Sequence, residues 1–275
     1  MPKGRALQRT EHSAGTLLQY WRKARRLSQL ALAMQAEISS RHLCFVETGR
    51  ANPSREMVLR LANVLDVPLR ERNALLLAAG FAPMYLESTI DAPALGAVRG
   101  ALDAILRQQE PFPAVVMDRY WNILRTNDAA TRFFGFLLGE RAAAVPANVL
   151  RMMFHPDAVR PFVANWEAVA EALVRRVQRE SVGGIQDEGT RTLLAEILSY
   201  PGVPQSWRNT NPSTPLSPVL PVSFTKGAHQ FNFFSTVTTL GTPQDITAQE
   251  IRIECFFPAD EPTEAAARRL RANVN

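Results

Sequence analysis

The sequence predicts an α+β chain in two domains, an all-α bundle of five short helices over residues 14–81 followed by a mixed α/β domain over 97–275. Its 275 residues are long for one domain and natural for two. Hydrophobic residues make up 46% and charged residues 21%, enough to bury real cores and unlike a disordered chain. Apolar residues recur at helical spacing through the first 80 residues, whereas strand-like and helical stretches mix after residue 97.

The elements follow in order. Residues 1–13 read as a polar, flexible tail. Residues 14–26 form an amphipathic helix, with Leu17, Leu18 and Trp21 on one side and a basic cluster near its end. Two short helices joined by a tight turn come next, capped by Ser28 and Ser39. Leu27, Leu32, Ala33, Ala36, Ile38, Leu43 and Val46 face inward, and Ser40, Arg41, His42, Cys44 and Phe45 lie on or near the outward face of the second. Pro53 and Ser54 open a fourth helix, where Val58, Leu61, Ala62 and Leu65 keep helical spacing. A fifth covers 69–79 and ends at Gly80.

Residues 82–96 read as a linker. A helix follows over about 97–109, then a strand over PAVVMDRYW, a turn at Asn122, a strand over ILRTN and a helix capped near Asn127 and Asp128. Residues 146–198 read as mostly helical, and six prolines make 201–221 irregular. Strands are expected near 219–226, 229–240 and 249–257, with a hairpin turn at Lys226 and Gly227, before a last helix over 261–272.

Net charge is +5, unevenly spread. Residues 1–80 hold 13 Lys and Arg against 6 Asp and Glu, a net of +7, and the remainder is −2. The positive charge sits with the two-helix motif, where contact with phosphate would need it. Cys44 and Cys255, far apart in sequence, form no disulfide framework, so a reducing, cytoplasmic setting is expected. No apolar run approaches the ~20 residues of a membrane span, and no secretory signal is read. The four histidines show no metal-ligand spacing, and no phosphate-binding or nucleophile motif is present. Neither catalysis, a metal nor a cofactor is expected, and a reading as an enzyme is the weakest.

A short helix with a polar N-terminal face and an apolar back suits the major groove of double-stranded DNA. The candidate DNA-contacting residues are Gln29, Ser39, Ser40, Arg41, His42, Phe45, Thr48 and Arg50. Ser40 and Arg41 would meet base edges, and Gln29, Thr48 and Arg50 phosphates. His42 would touch phosphate or pack against the turn; Phe45 would touch a thymine methyl or belong to the core.

The segment 14–80 resembles the lambda-repressor-like, XRE-type helix-turn-helix domain, through Gln29, Ala33, Leu43 and the run from Glu47 to Pro53. That resemblance implies an ion pair between Arg22 and Glu47, and it departs from the family at Glu37, where the turn often carries glycine. The phrases RHLCFVETGRANPSR, LLLAAGFAP, PAVVMDRYWNILRTN and FHPDAVRPFVANWE resemble the MmyB-like transcription regulators from about residue 14 to 257. The resemblance implies a PAS-like second domain that holds a non-covalent apolar ligand such as a fatty acid. Met117, Phe133, Met152, Phe154, Phe162, Trp166, Phe231, Phe233 and Phe256 are the candidates to line a cavity or, taken singly, to fill an ordinary core. One recognition helix covers only a half-site, so a homodimer is expected. The expectation is a ligand-responsive DNA-binding regulator; the alternative is a DNA-binding adaptor whose second domain only dimerises or docks a protein partner.

Overall fold

The computed structural model describes residues 13–183, 187–209 and 219–272. The expected tail, except Ser13, and residues 210–218 of the proline-rich stretch lie outside them. The chain divides into two compact units, residues 1–87 with 244–249, and residues 88–243 with 250–275.

The first unit holds α1 (Ala14–Ala24), α2 (Gln29–Gln35), α3 (Ser40–Glu47), α4 (Arg55–Val64) and α5 (Leu69–Ala78). Ser13, Ser28, Ser39 and Ser54 open the first four, each accepting a hydrogen bond from the backbone N–H three residues on. The helices close alike. Arg26, Glu37, Gly49, Asp66 and Gly80 take positive φ, and the next N–H of each returns to a carbonyl five residues back, as from Ile38 to Ala33 at 3.0 Å. Arg26 turning left-handed is why α1 stops at Ala24, short of the expected 26. Glu37 adopts φ +53° in the turn, at a cost of roughly 1–2 kcal/mol for a residue with a Cβ. Pro68, at the start of α5, offers no side-chain cap. Gln249 supplies it, its Oε1 accepting from Leu69 N at 2.7 Å, while Ile246 N donates to Leu86 O at 2.8 Å. Leu18, Trp21, Leu32, Leu43, Leu61, Leu65 and Leu75 form the core.

The second unit runs α6 (Gly96–Gln108), β1 (Ala114–Met117), β2 (Ile123–Thr126), α7 (Asp128–Leu138), α8 (Val149–Phe154), α9 (Trp166–Gly183), α10 (Glu188–Ile197), β3 (Leu220–Lys226), β4 (His229–Thr238), β5 (Arg252–Pro258) and the last helix, Glu261–Ala272. Between β4 and β5 lies a short helix, Ile246–Glu250. The five strands form one antiparallel sheet in the order β2-β1-β5-β4-β3. Its faces bury different cores. Ala114, Val116, Ile253 and Cys255 cluster with Leu102 and Leu106 of α6, and Val115, Met117, Val222, Phe224, Phe231, Phe233 and Phe256 face the large cluster built on α7 to α10.

Two expected strands differ most from their expected bounds. β1 ends at Met117 rather than running through Trp121, because the Asp118 carboxylate accepts from Tyr120 N and Asn122 N and folds the chain into a loop. Trp121 takes φ +64° there, and the turn covers Asp118 to Asn122 rather than Asn122 alone. β5 starts at Arg252 rather than 249, because Ile246–Glu250 is helical.

Candidate functional site

In the first unit, α3 presents its N-terminal face outward. Ser39, Ser40 and Arg41 are exposed; His42, Cys44 and Phe45 are half-buried; Leu43, Val46 and Glu47 are buried. The Ser39 hydroxyl accepts from His42 N at 3.1 Å, so one of its lone pairs is committed to the helix. The Arg41 guanidinium carbon lies 5.4 Å from the centre of the Phe45 ring, one turn on. Stacking on a ring narrows the rotamers of a long side chain and lowers the entropy cost of fixing it on a base edge. Thr48 Oγ1 donates to Cys44 O at 2.7 Å and closes α3. Arg50 is exposed just beyond it.

Behind this face sits a polar clamp. Arg22 Nε donates to Glu47 Oε1 at 2.7 Å and Nη2 to Oε2 at 2.9 Å, while Nη1 reaches Leu27 O at 2.9 Å. Gln29 Nε2 adds a bond to Glu47 Oε2 at 2.7 Å. Burial alone would push the Glu47 carboxyl up; the bonds from Arg22 and Gln29 and the charges of Arg22 and Lys23 outweigh it and hold the group below its ordinary value. The clamp ties α1, α2 and the end of α3 together, and it commits one Gln29 donor to the fold. Gly15 lets α1 approach α3: a Cβ there would stand 2.3 Å from Val46 O and 2.9 Å from Glu47 O.

In the second unit a cavity of about 40 Å³ lies between the sheet face and helices α7 to α9. Val115, Ile123, Val222, Phe224 and Phe256 wall it from the sheet, and Phe134, Val149, Met152, Met153, Val169 and Leu173 from the helices. Its volume is near one water molecule's share of the liquid, ~30 Å³, so an alkyl chain must part its walls to enter. The two methionines are suited to that, being unbranched and flexible.

Of the residues expected to line a cavity, Met152 and Phe256 do. Phe133, Phe231 and Phe233 form an aromatic cluster in the same core, with Phe133 set edge-on to both others at 5.2 and 5.4 Å. Met117 and Phe154 are fully buried in that core. Phe162 and Trp166 are half-buried against it, and Trp166 Nε1 donates to Met153 O at 2.7 Å. On β4, Phe231 and Phe233 face inward, whereas Phe234 stacks on Phe257 at 5.3 Å.

The other lining residues were not among those expected, and one of them is polar. Glu254 on β5 contributes a carboxyl to the otherwise apolar wall. The signal in the sequence is an acid in the middle of a run, Ile253 to Phe257, that otherwise reads as a buried strand. Burial pushes this carboxyl above its ordinary value, partly opposed by a hydrogen bond with Ser235 and the charge of Arg176. His155 Nδ1 accepts from Asp157 N at 3.1 Å and so caps a turn. Among the described residues no cluster of His, Cys, Asp or Glu could hold a metal, and no helix is long and apolar enough to cross a membrane.

Residues 13–75 match a family model described as a helix-turn-helix domain, and residues 98–270 match one described as the MmyB-like transcription regulator ligand binding domain. No curated protein matches the chain. A solved structure of an RNA-binding light-oxygen-voltage receptor is similar at 13% identity and TM-score 0.29; the match covers 95% of this chain, which spans 63% of that one. That likeness is too slight to bear on fold or ligand.

Proposed function

The chain belongs to the MmyB-like transcription regulators, and from that premise we propose that it reads its operator as a homodimer and responds to a fatty-acid-like molecule. That it is a DNA-binding transcription regulator with a ligand-sensing domain follows from the two family matches. The finer reading of the ligand rests on one observation above all: a largely apolar cavity with two methionines in its wall, between helices and a sheet.

The proposed mechanism is a population shift. An acyl chain enters by displacing Met152 and Met153, and the site fills at the expense of α8 and α9 packing. Each buried CH₂ contributes up to about 0.8 kcal/mol, against a fixed cost of opening. Short chains then fail to offset that cost, and affinity climbs with length until the opened site is full. Because the filled state differs in packing from the empty one, occupancy biases whichever arrangement of the paired DNA-binding units it favours, and operator DNA must in turn alter ligand affinity. Arg41 and Ser40 are proposed to read bases, and Arg50 to hold phosphate.

Calorimetry over a series of fatty acids, with and without operator, tests the sensor. Binding that strengthens with length and shifts on adding operator is expected. No binding at any length, or equal affinity in both settings, would leave the adaptor reading. Sedimentation tests assembly: a dimer on an operator with half-sites about 34 Å apart is expected, and a monomer both free at micromolar concentration and on DNA would overturn it.

A further inference from the structure

The polar feature of the cavity is Glu254. Its side chain shares the sheet face of Val115 and Phe256, and its cross-strand neighbours are Val115 on β1 and Val237 on β4. Among the described residues that line the cavity it alone is ionisable. The Ser235 hydroxyl is its hydrogen-bond partner, and Arg176 is near enough for its charge to be felt.

A wall that only had to pack would carry leucine or valine here. Burying a carboxyl instead costs free energy, and an apolar pocket with one placed polar group is how proteins orient an amphiphile. The electrostatics narrow what that amphiphile is. Desolvation favours the uncharged form of the acid, which offers one O–H donor and one carbonyl acceptor, with a single hydroxyl already engaged. A ligand carboxylate beside it would bring a second acid into the same dry site, where like charges disfavour ionisation of both. An ammonium would ionise Glu254 and form a buried pair whose desolvation offsets its attraction. A hydroxyl or a primary amide can donate and accept at once, with no charge to bury.

Resting on the sensor reading above, we propose that Glu254 makes this cavity selective for an alkyl chain with an uncharged hydrogen-bonding head, an alcohol or an amide, over the fatty acid of equal length.

The test is calorimetry on the full chain at pH 7.5 with four head groups compared at eight, ten and twelve carbons, decan-1-ol, decanamide, decanoate and decylamine being the set at ten, each below its micelle concentration. The alcohol and amide are expected to bind at least tenfold more tightly than decanoate or decylamine. Glu254→Gln, still an uncharged donor and acceptor, should keep that order. Glu254→Leu should weaken the alcohol and the amide at least tenfold, shift decanoate and decylamine by less than about threefold, and leave tightening with chain length intact. Decanoate or decylamine binding as well as decanol to the unsubstituted chain overturns the proposal, as does unchanged affinity for the alcohol and the amide in Glu254→Leu. Should that variant fold poorly, the order in the unsubstituted chain decides alone. Probes that bind without preference sink only the selectivity; failure of every probe at every length sinks the sensor reading with it.

Discussion

Replacing Glu47 by alanine strands Arg22. The guanidinium side chain is 10% exposed and its carboxylate partner 0% exposed, so water cannot take the place of the lost oxygens. Three hydrogen bonds disappear, two from Arg22 and one from Gln29, while the bond from Arg22 to Leu27 O remains. Breaking one partner of a buried pair costs about 3–5 kcal/mol, against about 0–1 for an exposed pair. At 1.36 kcal/mol per decade, the larger cost is roughly a 150-fold to 5,000-fold rise in the open population of the helical unit. Hydrogen exchange of the full chain, read on peptides from α1 and α3, measures that rise without interference from the second unit. The effect should also depend on pH. The folded carboxyl lies below its ordinary value, so its stabilisation is fully present above the unfolded value near ~4.3 and is lost as pH falls through the folded one. The gap between Glu47→Ala and the unsubstituted chain should therefore be widest near neutrality and narrow in acid. A change under about fivefold at neutral pH would show that the pair behaves as if exposed, and the reasoning from burial would fail.

Arg41→Ala should weaken operator binding by about 1–3 kcal/mol and leave salt-sensitive binding to random DNA in place; equal loss on both, or none, measured by anisotropy, would remove Arg41 as a base reader. Gly15→Ala should destabilise the helical unit more than Gly49→Ala in thermal melts. The first forces α1 off backbone oxygens at 2.3 and 2.9 Å, whereas the second only strains φ at +73° with nothing within 4 Å, so a reversed order would refute the close approach. Glu254→Gln should carry the opposite pH sign to Glu47. The native acid sits above its ordinary value, so it penalises folding increasingly as pH rises past ~4.3. The variant's gain in the midpoint of chemical denaturation should grow from pH 4 to pH 7, and a gain that shrinks would count against the buried, uncharged acid.

Local rules made the helical unit legible. Serine caps and spaced leucines are read within a few residues of one another, and the serines at 28, 39 and 54 cap as the sequence suggests. The closing turns were harder, because Arg26 and Asp66 take left-handed backbone without glycine to announce it. β1 was overrun for a similar reason: Tyr120 and Trp121 have strand-forming side chains, but one aspartate carboxylate bonding two nearby N–H groups outweighs that tendency. The α8, α9 and α10 region and the last helix were readable from their spacing. The cavity was not, since its walls come from β1, β2, β3, β5 and three helices, and no local pattern says which apolar residues fall short of touching. Met152 and Phe256 were among many equal candidates. Glu254 was visible as an oddity in a buried strand, but its meaning depends on what stands opposite.

Residues 244–249 connect β4 to β5 yet group with the helical unit, where Gln249 caps α5. Neither unit is therefore a single stretch of chain. A cut anywhere in the 82–96 segment would free a helical piece whose fifth helix has lost its acceptor at Leu69. Grafting a foreign sensor behind the first 87 residues would carry the same defect unless the graft brought its own glutamine. Exchanging the second unit therefore costs the first one capping hydrogen bond, worth about 0.5–2 kcal/mol.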